Sequence, residues 1–290
     1  MQIPSELKKL YPFSSNFLEL GGGLKYHYLD EGAGECLVML HGNPTWSFYY
    51  RNLILGLRDR YRLVAPDHIG CGLSDKPGQY DYRLSRHIDN LELLINKLQL
   101  KKVTLVMHDW GGAIGMGWAV RHPESVKRLV IFNTAAFLLP RIHILLRICR
   151  IPVLGALAIR GFNAFARAAV YLACRKHERM TPPVRRGYLA PYPSYADRVA
   201  HLRFVQDIPT KPGHPSYDQM KTIEKGLRQF KNLPVRIFWG EKDFVFDEHF
   251  LNRWLDFFPR AEVTRFPAAG HYVVEDAGEE ILPLLKDFIK

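Results

Sequence analysis

Short apolar runs closed by turn residues alternate with stretches of helical spacing from Asn16 to Asn133, a rhythm that predicts βαβ units around a largely parallel sheet. Residues 16–20 and 24–29 flank Gly21-Gly22-Gly23 and read as an opening hairpin. Residues 36–40 form a buried strand that runs into His41-Gly42, followed by a helical stretch at 46–60 and a strand at 62–65. Apolar positions recur at helical intervals over 84–98, with Lys97 in the last turn, where a cation suits the helix dipole. A strand at 103–107, a small-residue helix at 111–121 and a strand at 126–132 complete the first block.

The alternation stops after Asn133. Residues 135–225 are helical in spacing, interrupted by Pro140, Pro152, Pro182, Pro183, Pro191 and Pro193, and show no strand pattern. A strand at 234–239, a helix at 250–258, a strand at 262–266 and a helix at 280–289 restore the rhythm. The prediction is an α/β fold: a doubly wound, mostly parallel eight-stranded sheet with a helical cap inserted after the sixth strand. Residues 1–134 and 226–290 form the core on this reading, and 135–225 the cap.

Composition agrees and narrows the class. At 290 residues, 47% hydrophobic and 24% charged, the chain can bury a sizeable core, which excludes disorder. Cys36, Cys71, Cys149 and Cys174 lie far apart with no C-x-x-C pair, so neither a disulfide framework nor a zinc site is expected, and a reducing cytoplasm is the natural compartment. No apolar run follows the lysines of MQIPSELKKLYPF, as a secretory signal requires, and no stretch reaches the roughly 18 apolar residues of a membrane span. The net charge of +11 is unevenly placed: residues 135–215 hold thirteen Lys and Arg against three acids. There Arg141, Arg147, Arg150, Arg160 and Arg167 interleave with Leu, Ile, Val, Phe and Ala, which argues against a nucleic-acid surface. The segment reads as a charged roof over a pocket or as a basic amphipathic surface for a membrane, a protein partner or a second copy.

The chemistry starts at His108-Asp109-Trp110-Gly111-Gly112, which joins the strand at 103–107 to the following helix. Asp109 thus stands on the tight strand-to-helix turn where α/β-hydrolases hold their nucleophile; the alternative is an ordinary helix cap. A carboxylate needs no deprotonation before attack, and its product is an ester. His41-Gly42-Asn43-Pro44 follows the third strand, where this fold places its anion-binding loop, and His271 follows the last strand, where the base is expected. Between them the acid is expected in Gly240-Glu241-Lys242-Asp243; Asp243 is the choice, with Asp247 and Glu241 as rivals, while Asn133 offers no carboxylate.

HGNPTW, DHIGCGLSDKP, HDWGG, GEKD and AAGHYVVEDA together resemble the haloalkane dehalogenases of the α/β-hydrolase fold. The resemblance implies that Asp109 displaces halide from an alkyl carbon and that His271, oriented by Asp243, activates the water that hydrolyses the ester. It implies a small apolar substrate, chloride or bromide in the site, and neither metal nor organic cofactor. Halide in that family is held by two N–H donors, here Trp110 and, because every tryptophan lies outside the cap, Asn43. The cap itself, with GYLAPYPSYADRVA and FVQDIPTKPGHPSY, looks like the β-lactone decarboxylases of long-chain olefin biosynthesis, in which the same aspartate attacks a strained lactone. Epoxide hydrolysis, with Tyr171, Tyr188, Tyr192 or Tyr195 polarising the epoxide oxygen, and a non-catalytic binding protein of the same fold are the remaining alternatives.

Overall fold

The computed structural model describes residues 7–138 and 142–290, so Pro140 and Arg141 of the cap and the first six residues of the chain lie outside the described residues. Eight strands form one sheet: β1 (Asn16–Leu20), β2 (Leu24–Glu31), β3 (Glu35–Leu40), β4 (Tyr61–Pro66), β5 (Val103–Asp109), β6 (Val126–Thr134), β7 (Val235–Gly240) and β8 (Glu262–Phe266). Their order is β1-β2-β4-β3-β5-β6-β7-β8; β2 pairs antiparallel with β1 and β4, and all other neighbours are parallel. This is the doubly wound sheet that the alternating pattern predicts.

Helices α1 (Arg51–Leu57), α2 (Leu84–Lys97) and α3 (Trp110–Ala119) follow β3, β4 and β5. Six more separate β6 from β7: α4 (Ile144–Cys149), α5 (Leu154–Ala156), which continues as a π turn over Leu157–Gly161, α6 (Ala164–Leu172), α7 (Pro182–Leu189), α8 (Val199–Gln206) and α9 (Tyr217–Gly226). Two close the chain, α10 (Glu248–Phe257) and α11 (Val273–Ile289).

Strand geometry explains the two cores. Successive side chains point to opposite faces, so Leu37 and Met39 meet α1 and α11 on one side while Val38 and Leu40 meet α2 and α3 on the other. All seven residues of β5 are buried, as a central parallel strand requires. Met220 and Ile223 of α9 join Ile88 and Trp118 in the second of these cores, so a cap boundary at 225 takes in a helix whose apolar face belongs to the main body.

Two expectations are corrected. The helical stretch at 46–60 divides into a 3-10 turn, Ser47–Tyr50, and α1. The final helix starts at Val273 rather than at 280, because Tyr272 to Asp276 is wound into a first turn that a non-helical Ala277 (φ −129, ψ 18) joins to the rest. Gly278 and Pro283 are accommodated within it.

Candidate active site

Asp109 ends β5 and precedes α3 with φ 50 and ψ −125, a conformation costly for a residue with a Cβ, and it thereby raises its carboxylate above the sheet. Glycine makes the turn compact: a Cβ on Gly111 would strike the Leu40 carbonyl, and one on Gly112 the Thr134 hydroxyl. Gly42 is likewise free of a side chain where Asp109 sits against it.

The two oxygens of Asp109 have different surroundings. Oδ1 accepts the Asn43 backbone N–H at 2.6 Å, and the Trp110 backbone N–H also donates to the carboxylate. Oδ2 lies 3.8 Å from His271 Nε2, beyond hydrogen-bond range. His271 Nδ1 meets Asp243 Oδ2 at 2.8 Å, and Asp243 is in turn fixed by the N–H groups of Val245 (2.7 Å) and Phe246 (3.1 Å). The structure therefore brings Asp109, His271 and Asp243 into one line. The rivals for the acid are elsewhere: Asp247 accepts the His249 N–H at the start of α10, and Glu241 pairs with Arg265. Asn133 clips onto Gly240, accepting its N–H at 2.8 Å and donating to its carbonyl at 3.0 Å, which secures the β7 end from which Asp243 departs.

Burial raises the Asp109 pKa, and His271 together with the Asn43 and Trp110 N–H groups offsets part of that rise. Burial works against charge on His271, but the Asp243 and Asp109 carboxylates outweigh it and leave the imidazole pKa above its ordinary value.

Asn43 and Trp110 both line the cavity beside Asp109. Among the described residues nothing accepts a hydrogen bond from the Trp110 indole N–H, whereas Asn43 Nδ2 already donates to the His201 carbonyl at 3.1 Å. Asn43 thus has one amide hydrogen left for an anion. The cavity, about 450 Å³, runs from these groups between Phe246 and Phe250 of the main body and Phe137, Leu146, Ile159 and Phe165 of the segment after β6. Cys149 is on its wall, its thiol pKa raised by burial. No tyrosine lines it among the described residues: Tyr188 donates to Glu275, Tyr192 accepts from Gly72, and Tyr171 and Tyr195 face outward. The epoxide arrangement expected as an alternative is therefore not formed.

One residue has no counterpart in the sequence reading. Asp276 accepts the N–H groups of Gly270 (2.7 Å), Arg175 (2.9 Å) and Lys176 (2.7 Å), joining the loop before His271 to the strap after α6. Its place in AAGHYVVEDA is its one sign in the chain, since a carboxylate that serves backbone donors follows no side-chain spacing.

Residues 35–278 match the family described as alpha/beta hydrolase fold, and the chain belongs to that family. It is an enzyme of this superfamily. It is 50% identical over 98% of its length to a cis-3-alkyl-4-alkyloxetan-2-one decarboxylase of Shewanella oneidensis, covering 90% of that protein. It is 31% identical over 94% of its length to haloalkane dehalogenase 2 of Mycobacterium tuberculosis H37Rv, again covering 94% of the relative. Among solved structures, a mutant of the haloalkane dehalogenase DatA from Agrobacterium tumefaciens C58 superposes with a TM-score of 0.82 at 26% identity, over 96% of this chain and 97% of that one.

Proposed function

We propose that the protein decarboxylates cis-3-alkyl-4-alkyloxetan-2-ones to alkenes, with Asp109 as nucleophile, His271 and Asp243 as its partners, and Trp110 and Asn43 as leaving-group donors. The observation that carries this reading is the near full-length 50% identity to a decarboxylase of that name, set on an apolar cavity that ends at a carboxylate. Residues 135–225 act as its cap.

Oδ2 of Asp109 attacks the ring carbon that bears the lactone oxygen. That C–O bond breaks, and its electron pair passes to the departing carboxylate, which lies against the Trp110 N–H. The carboxylate then leaves as carbon dioxide; the released pair forms the carbon–carbon double bond, and Asp109 departs with the ester electrons. Lactone becomes alkene and carbon dioxide, with no water or proton consumed. Inversion in the first step and anti elimination in the second carry a cis lactone to a cis alkene.

A haloalkane would meet the same carboxylate, halide taking the place of the leaving carboxylate. No elimination is open to that ester, so water activated by His271 must release it. This second reading is favoured by the position of His271, whose Nε2 stands beside the Asp109 carboxylate. Incubation of the purified enzyme with a synthetic cis-dialkyl lactone and with a 1-bromoalkane separates the two. Alkene detected by gas chromatography supports decarboxylation, and bromide release without alkene would replace it. The test extends to mass: His271→Ala exposed to bromoalkane is expected to retain an alkyl adduct on Asp109, and an unmodified protein would remove the nucleophile assignment.

A further inference from the structure

Ten of the fourteen large hydrophobic side chains exposed on the described residues fall between Ile144 and Leu172. Val153, 81% exposed, and Phe162, 67% exposed, are the extremes, and they stand on mutually packed elements: α4 on α5, and the π turn on α6. Leu145, Ile148 and Leu172 belong to this surface and also line the cavity, so the patch is continuous with the entrance to the site. An exposed apolar area of this kind marks an interaction surface.

Charge selects the occupant. No carboxylate occurs anywhere in residues 126–174, while Arg147 and Arg167 are exposed and their guanidinium groups hydrogen-bond nothing among the described residues. A second copy docked face to face would set arginine against arginine with no acid to pair them. An anionic membrane satisfies both features, offering hydrocarbon to Val153, Leu157 and Phe162 and headgroup charge to the arginines. We infer that this cap surface docks peripherally on an anionic lipid bilayer. The cavity thereby draws its substrate from the hydrocarbon layer, a consequence that rests on the proposed two-chain lactone.

Flotation of the full chain with vesicles of phosphatidylcholine alone and of phosphatidylcholine with phosphatidylglycerol tests the docking. Binding is expected to the anionic vesicles only and to weaken in high salt. Arg147→Glu with Arg167→Glu, and separately Val153→Ser with Phe162→Ser, are each expected to lower the partition coefficient on the order of tenfold or more. Turnover of a short-chain lactone without vesicles is expected to stay at the wild-type level in both pairs, because none of these residues lines the cavity. Failure to bind anionic vesicles, or equal binding to neutral ones, overturns the inference. So does concentration-dependent self-association abolished by Val153→Ser with Phe162→Ser in a protein that ignores lipid. Vesicle binding by an enzyme that leaves every lactone intact would instead overturn the activity and spare the docking.

Discussion

Asp109 has Oδ1 held by the Asn43 N–H, with the Trp110 N–H as a further donor to the carboxylate, and its Oδ2 lies 3.8 Å from an imidazole whose charge lowers the carboxyl pKa. In the proposed decarboxylation the duty of His271 is accordingly to keep Asp109 ionised, a different one from activating water. Because burial already raises the Asp109 pKa, removal of His271 must raise it further. The acid limb of kcat/KM for a lactone is expected to move to higher pH in His271→Ala, measured by initial rates from pH 5 to 9; an unmoved limb would separate the two groups functionally. Hydrolysis of a bromoalkane by the wild type needs neutral His271 and should rise with pH through its elevated pKa. The leaving-group donors also differ in prospect. Trp110→Phe removes an N–H with no protein acceptor and should cost about 10²–10³ in turnover. Asn43→Ala keeps the backbone N–H on Asp109 and should cost less, a ranking that parallel steady-state assays would reverse if the side-chain amide were the main donor.

At the scale of elements, the site depends on close contacts among strand ends and helix starts. Gly111→Ala would drive a methyl group into the Leu40 carbonyl and is expected to destabilise the fold by about 3 kcal/mol, read from urea denaturation. Asp276→Ala would strand the N–H groups of Gly270, Arg175 and Lys176 and is expected to cost about 3 kcal/mol together with a fall in kcat, because Gly270 carries His271. Because both oxygens accept N–H groups and an amide nitrogen accepts none, Asp276→Asn is expected to recover only part of either loss. These elements are not equally legible. β5 and its turn can be read from sequence because an apolar run meeting Asp-Trp-Gly-Gly leaves few other geometries. The start of α11 cannot, since the non-helical Ala277 and the following Gly278 divide its first turn from the periodic stretch at 280–289. The placing of α9 on α3 is hidden as well, because helical periodicity identifies an apolar face without naming what covers it.

Across the molecule, buried histidines set the response to acid. His41, His68, His87, His108 and His201 are all held neutral, foremost by burial, and His87 and His201 are each lowered to about 3. An unfolded chain protonates its histidines near pH 6.5, and these five in the folded chain do not. Their contribution to stability is therefore complete above about 6.5 and is progressively lost as the pH falls below it. His271 has the opposite sign, stabilising most at low pH, but stands alone against five. Tm is expected to decline steadily from pH 7 to 5 in scanning calorimetry, and a flat profile would mean that the buried imidazoles acquire protons without unfolding.

Cys149 shares its cavity with Asp109, the proposed nucleophile. A strained lactone and a bromoalkane are both alkylating agents, and sulfur in its ionised form reacts with such carbon faster than a carboxylate does. Burial raises the pKa of this thiol and favours its protonated form, so in the proposed reaction the ionised group that an electrophile meets is Asp109. Chemoselectivity in this enzyme is thus a matter of which wall is ionised. Alkaline conditions would erase that distinction and turn a bystander into a site of self-inactivation.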